Sequence, residues 1–513
     1  MADETKGQRT PGGRPHTPGG RRPDRNGGRS GGGPRRSAGR GKDTKPAASK
    51  ASPARVFALQ VGKAVREREA FTHDVIEAQL PEARLSEEDK AFATKLSLGV
   101  TMSAGTLDEL IDHACTNPKA LMPEVRDALR VSAYEIIFLD KSPHAAVDQG
   151  VELVRSVEPR AAGLANAVLR KLVDARRTFP FGNPDVSLVA LARKNAFPVW
   201  MAKSVLDDRG KDELKAFLEA SNEVAPLYVA ENALRAEAGE VQAAFGEAQA
   251  EAELVAVDGR AIPRCWKVGN HRAIARPEVA ALLKGGKAIV SDASAQAIAR
   301  LAVPRTMPGR FLEVGAGRGT KSILLQNVAF ERFGAQMPLE TVDNLPFKAK
   351  IQEKRAALTG VRLDEAHVLD AQRLRAKFGD EAFDAVFVDA PCSGLGTLRR
   401  HPEIRWRITP RDIESLARLN AVILQEAAYC TKVGGLLTYA TCTITKAENE
   451  LVVERFLRSS IGERFKIVPL GDVAAAKAPG ASRQDAAKAL FFASNLRSDG
   501  PDAHFAAQFV RVR

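Results

Sequence analysis

Hydrophobic and polar positions divide this chain into three successive patterns. From Pro53 to about Asp174, apolar residues recur at three- and four-residue spacing, as in Val56-Leu59-Val61-Val65, Phe92-Leu96-Val100 and Val125-Leu129-Ala133-Ile136-Ile137. That period puts one apolar stripe on each helix and predicts a compact all-α bundle. Pro123, Pro143 and Pro159 fall where helices start or loops run. Between about Phe179 and Gly286 the pattern is mixed. Short helices are expected around Leu188–Leu191, Phe197–Trp200 and Leu214–Leu218, and a strand at Glu253–Val257, giving a small α+β connecting domain.

From Ala288 onward, strand and helix signals alternate. Strands are expected at Arg310–Val314, Leu339–Val342, Ala366–Leu369, Phe383–Val388 and Leu436–Tyr439. Helices are expected from Lys321, through Lys348–Leu358, from Arg411 to about Thr431 and over Glu448–Leu457. Such alternation predicts a mostly parallel sheet with helices on both faces, an α/β Rossmann-type domain. Ala503–Val512 alternates like a strand closing that sheet. The expected boundaries are 1–50, 51–178, 179–286 and 287–513.

Charge changes the picture at one end only. Of the net +13, residues 1–50 carry +9, with 13 Lys/Arg against 4 Asp/Glu. This Gly/Pro/Arg-rich tail has almost nothing to bury and is expected to be disordered. It reads equally well as an arm for RNA phosphates or as a solubilising extension. The five cysteines are scattered and contain no CxxC pair. That argues against a disulfide framework and against a zinc site, so no metal is expected, and it points to a reducing compartment. With no apolar leader and no run long enough to span a bilayer, a cytoplasmic protein without a membrane partner is expected.

The candidate chemistry lies at strand ends. The first β-to-α turn reads Gly315-Ala316-Gly317-Arg318-Gly319-Thr320-Lys321, a glycine-rich turn that lets backbone and helix N–H groups approach a ligand. Acids close three successive strands. Asp343 is placed to accept ribose hydroxyls, Asp370 suits the exocyclic amine of adenine, and Asp389 follows the fourth strand. This set fits S-adenosyl-L-methionine. Two cysteines sit just beyond strands, Cys392 in Asp389-Ala390-Pro391-Cys392-Ser393-Gly394 and Cys442 in Ala440-Thr441-Cys442-Thr443. Cys115, Cys265 and Cys430 are expected to be buried apolar residues. Arg399, Arg400, His401, Arg405 and Arg407 form a basic loop suited to phosphates around a target base, with Trp406 placed either to stack on a base or to anchor the loop.

Two family resemblances follow from these residues. Arg126–Leu139, Pro143-His144-Ala145-Ala146-Val147 and Asn166-Ala167-Val168-Leu169-Arg170 resemble the NusB family of helical RNA-binding factors; Asn166 and Arg170 are expected to hold the bundle together. Residues 384–457, with Pro391-Cys392, Thr441-Cys442 and Glu448-Asn449-Glu450, resemble the Sun/RsmB branch of RNA 5-methylcytosine methyltransferases. The resemblance implies that Cys442 attacks cytosine carbon 6, Cys392 assists release and Asp389 holds the cytosine edge. It implies a substrate in small-subunit ribosomal RNA and a monomeric enzyme. Transfer RNA, or a noncatalytic role in ribosome assembly, are the alternatives. The family's usual Cys-Ala-Ala-Pro-Gly-Gly-Lys-Thr is replaced here by Gly315–Ser322, so Lys321 persists in an altered turn.

Overall fold

The computed structural model describes residues 51–139, 142–257 and 259–513. The expectations for segment 1–50 lie outside the described residues.

The N-terminal helices are α1 (Pro53–Arg68), α2 (Thr72–Gln79), α3 (Glu87–Ala114), α4 (Pro123–Phe138), α5 (Pro143–Val157) and α6 (Ala162–Ala175). Proline opens α1, α4 and α5, where its missing N–H costs no hydrogen bond. The predicted stripes meet in one core containing Leu96, Leu107, Leu129, Ile136 and Leu169. Ion pairs tie the helices together: Arg55 on α1 to Glu135 on α4 at 2.6 Å, Arg66 on α1 to Asp127 on α4 at 2.8 Å, and Arg130 on α4 to Asp108 on α3 at 2.6 Å. Asn166 and Arg170 do not share this task. Arg170 is exposed on α6, and neither residue bonds to another described residue.

Next come α7 (Leu188–Lys194), α8 (Val199–Arg209) and α9 (Lys211–Ala220), then β1 (Leu227–Glu231), α10 (Glu240–Glu247), β2 (Ala252–Val257), β3 (Arg260–Val268), α11 (Pro277–Lys284) and β4 (Ala288–Val290). The four strands form an antiparallel sheet in the order β2-β3-β1-β4. Only part of β2 was legible in the sequence. β1 is buried along its whole length, and β3 shows no clean alternation.

The last part contains α12 (Ala293–Ala302), β5 (Phe311–Val314), α13 (Thr320–Phe333), β6 (Leu339–Asp343), α14 (Pro346–Thr359), β7 (Glu365–Val368), α15 (Leu374–Phe378), β8 (Phe383–Asp389), α16 (Ile404–Arg407), α17 (Pro410–Cys430), β9 (Thr431–Thr441) and α18 (Glu450–Leu457). β10 (Phe465–Val468), β11 (Phe492–Ser494) and β12 (His504–Arg511) follow. The sheet runs β10-β12-β9-β8-β5-β6-β7, with β11 also paired to β12. β9, β8, β5, β6 and β7 are mutually parallel, as expected. β12 does not close the sheet at its edge. It inserts antiparallel between β9 and β10. Leu312, Val314, Val386, Val388, Leu437 and Phe509 fill one of the sheet's cores.

The chain runs outward from β5 to β6 and β7, then returns to β8 beside β5. A crevice therefore opens at the C-terminal ends of β5 and β8, where sheets of this topology receive ligands. No helix among the described residues is long and apolar enough to cross a membrane.

Candidate active site

The glycine turn leaves β5 at this crevice. Gly315 adopts φ +82°, and a Cβ there would sit 2.2 Å from the Asp389 carbonyl oxygen, so only glycine lets β5 and β8 approach this closely. The N–H groups of Gly315 and Ala316 donate to Val342 O at the end of β6. Asp343, the next residue, accepts from Gly317 N at 3.0 Å, Leu345 N at 3.0 Å and Lys348 Nζ at 3.3 Å. Gly319 caps α13 with φ +80°, and Thr320 Oγ1 accepts from Arg355 at 2.8 Å. Arg318 reaches outward, 3.7 Å from Asp74 on α2. Asp370 stands apart: it is exposed beyond edge strand β7, with its carboxylate capping a short turn through Gln372 N.

Lys321, on the first turn of α13, donates to Asp389 Oδ2 at 2.6 Å. Burial works against the ammonium, but Asp389 outweighs it and Lys321 lies above the ordinary lysine value. Beneath it, Glu313 on β5 is fully buried and accepts from Ser322 Oγ at 2.5 Å. Burial pushes its pKa up to about 8, so at neutral pH it is a neutral acid beneath a charged pair.

The two motif cysteines converge. Cys392 Sγ and Cys442 Sγ lie 3.3 Å apart, both residues half-buried, and the Cys442 N–H points at Cys392 Sγ at 3.4 Å. Their environments separate them. The hydrogen bond from the Cys392 thiol holds Cys442 below the ordinary thiol value; burial opposes this and the Lys321 charge reinforces it. Sharing that proton, together with burial, raises Cys392 well above it. Of the two, Cys442 is the sulfur whose thiolate form the site favours, and Cys392 the one it keeps protonated. Lys321 acts on Cys442, a choice of thiol the sequence left open.

The sequence reading assigned no role to the groups that hold this pair. Glu448, fully buried, accepts from Ser393 N and Ser393 Oγ at 2.6 Å each, Thr445 Oγ1 at 2.7 Å and Thr443 Oγ1 at 3.2 Å. Asn449 accepts from Thr441 Oγ1 at 2.6 Å and donates to Thr443 O at 2.9 Å. Both residues were visible as part of a motif. Their threonine partners lie within eight residues, but the Ser393 contact spans 55 residues of chain, and no spacing signals it.

The basic loop is a correction. Arg399 is buried against Asp502 at 2.7 Å, and Arg400 bonds to Asp502 at 2.5 Å and Asp292 at 3.1 Å. Arg405 has no exposed surface. It donates to Ala196 O, Asn222 Oδ1 and Ser221 O, and its guanidinium lies 4.1 Å from the Phe197 ring centre. Arg407 caps the carbonyls of Val65, Glu69 and Ala70. His401 packs at a tilt against Phe71, and Trp406 donates to Met102 O at 2.9 Å over Gly105. These side chains are committed to joining the loop to Asp292 and Asp502, to α1–α3 and to the α7–α9 region rather than to phosphates. Trp406 is the anchor of its two readings. Cys115, Cys265 and Cys430 are buried, and burial pushes Cys265 and Cys430 up to about 12.

A parallel sheet of this order, with a glycine turn and a strand-end acid at its crevice, is the architecture of a Rossmann-type methyltransferase. Residues 309–508 match the family described as 16S rRNA methyltransferase RsmB/F, and residues 52–174 match the NusB family. Ribosomal RNA small subunit methyltransferase B of Thermus thermophilus is 32% identical over 373 residues, covering 72% of this chain and 79% of that one. The Klebsiella pneumoniae (strain MGH 78578) protein of the same name is 29% identical over 383 residues, covering 73% and 83%. The chain belongs to the RsmB/F methyltransferase family. In fold it is similar to the crystal structure of PH0851, with TM-score 0.73 at 22% identity over 90% of this chain and 99% of that one.

Proposed function

We propose that this protein methylates carbon 5 of cytosine in RNA, with small-subunit ribosomal RNA as the substrate, through a covalent adduct on Cys442. The observation that carries the reading is the sulfur pair: the Cys442 and Cys392 Sγ atoms lie 3.3 Å apart at the ligand-binding edge of the sheet, beside the Lys321–Asp389 pair. The names of the family relatives support ribosomal RNA.

The crevice fits S-adenosylmethionine, with Gly315–Lys321 forming the backbone cradle and Asp343 at its rim. That cofactor would supply an electrophilic methyl group. The residues of this chain do the rest. Cytosine carbon 5 is a poor nucleophile. Cys442 adds to carbon 6 and pushes the ring electron pair onto carbon 5, which can then take the methyl group. Asp389, oriented by Lys321, holds the cytosine edge and stabilises its protonated ring nitrogen. Once a base removes the carbon 5 proton, the ring double bond re-forms and the carbon–sulfur bond breaks. Cys392, which hydrogen-bonds the departing sulfur, stabilises it as a thiolate.

Trapping tests this. Cys392→Ala should accumulate a protein–RNA adduct that survives denaturing electrophoresis, and Cys442→Ala should form none. Bisulfite mapping of ribosomal and transfer RNA after incubation with the native protein should place the new 5-methylcytosine in the small-subunit RNA. If neither variant forms an adduct with cytosine-containing RNA, the proposed chemistry is wrong.

A further inference from the structure

On the edge of the sheet opposite the cysteines, a cavity of about 810 Å³ opens between the α12–β5 loop, the first residues of β9 and the segment after β10. Its wall includes Gly309, just before β5, Asp384, near the start of β8, and Gly434, in the first half of β9. Five cationic side chains face it, Arg260, Arg300, Arg305, Arg332 and Lys432, against a single carboxylate, Asp384.

Two of those charges are neutralised locally. Lys432 pairs with Asp384 at 2.7 Å, and Arg300 pairs with Glu331 at 2.8 Å. The other three have no acidic partner among the described residues. Arg332 donates only to the carbonyls of Val303, Pro304 and Arg300. Arg305 is exposed and bonds to no described residue. Arg260 Nη1 is shut off from solvent without a hydrogen-bond partner. Burial, then the like charge of Arg300, press the Arg332 pKa downward; Glu331 opposes them and Arg305 adds a smaller push the same way. A protein keeps such a cluster at a cost in stability unless an anion relieves it.

We propose that this cavity is a second RNA-binding site, which takes backbone phosphates of the structured substrate through Arg260 and Arg305. It rests on the reading that the substrate is RNA. Planar guanidinium forks suit phosphate oxygens, and a cavity of this size accommodates a short stretch of ribose-phosphate backbone. Strand β8 separates the two edges by seven residues, about 20 Å at the usual rise. The phosphates held here therefore belong to a part of the RNA remote from the target cytosine. Short substrates cannot reach both edges, and long folded ones can.

The test is the double substitution Arg260→Glu with Arg305→Glu, which leaves the carbonyl caps of Arg332 in place. Two RNAs are compared: small-subunit ribosomal RNA and a short single-stranded oligonucleotide containing the target cytosine. Affinity for the ribosomal RNA should fall by about tenfold or more, and the slope of log affinity against log salt should flatten by roughly 1.4–1.8, the contribution of two phosphate contacts. Methylation of the short oligonucleotide should be unchanged. Unaltered affinity and slope on the long RNA would overturn the proposal. So would an equal loss on both RNAs, which would place the effect in the catalytic edge or the fold. If the native protein methylates neither RNA, the proposed activity fails, while the binding comparison still decides the groove.

Discussion

The Ser393 N–H lies 2.6 Å from the Glu448 carboxylate in the protein interior, and through it the loop that carries one reactive sulfur is fastened to the loop that carries the other. Glu448 also accepts from Thr443, the residue after Cys442. One buried carboxylate thus sets the 3.3 Å separation on which the two-thiol chemistry depends. Its charge is matched by several donors rather than by a cation, an arrangement sensitive to the loss of even one acceptor.

Glu448→Gln should therefore cost far more in turnover than in binding. The amide would aim N–H groups at the donors of Ser393 and Thr445. Loss of hydrogen bonds to a charged acceptor predicts a drop in stability of about 2–3 kcal/mol. The expected kinetic signature is a fall in kcat of about a hundredfold or more with the KM for RNA little changed, read from steady-state methylation alongside urea unfolding.

The acid limb of the pH–rate profile should report Cys442. Its thiolate is favoured by the Cys392 hydrogen bond and by Lys321, so activity should rise with pH through a midpoint below the ordinary thiol range. Lys321→Met removes the positive charge and should move that midpoint upward, lowering activity most at acid and neutral pH. A profile displaced downward, or not at all, would contradict the assigned electrostatics.

Glu313 makes a separate prediction about stability. Its folded pKa, about 8, lies above that of an unfolded glutamate, so the folded state holds a proton that unfolding releases. The contribution is fully present below the unfolded value, near 4.3, and declines as pH rises toward 8, by about 1.4 kcal/mol per pH unit at most. Glu313→Gln, which mimics the neutral acid, should match the native protein at pH 4 and exceed it in Tm at pH 8. Calorimetry at the two pH values checks the widening gap.

Arg405 separates structural from RNA-binding arginines. With its side chain buried and its pKa lowered to about 9 by that burial, it supports three carbonyl groups in the interior. Arg405→Ala should destabilise the protein by about 3 kcal/mol, through lost packing and orphaned acceptors. In the fraction that remains folded, the salt dependence of RNA affinity should be unchanged, in contrast to the Arg260/Arg305 substitution.

The helical bundle, the five parallel strands and the two cysteines are legible in the residues alone, because they rest on local periodicity and on motifs that lie whole within short stretches. Period-3.6 stripes placed α1, α3 and α4, buried apolar runs placed β5, β8 and β9, and Pro391-Cys392 and Thr441-Cys442 marked the strand ends. The weak strands β10 and β11 were missed, and so was the insertion of β12 between β9 and β10, since pairing partners leave no trace in spacing. Folding settles which thiol Lys321 acts on, that Glu448 joins the two loops, and that the arginines after Cys392 are structural ties. Each of these depends on which distant groups share the low-dielectric interior. A side chain's charge state and partners are set there, by contacts across 50 to more than 300 residues of chain, and an arginine bound for a buried carboxylate reads the same in sequence as one bound for a phosphate.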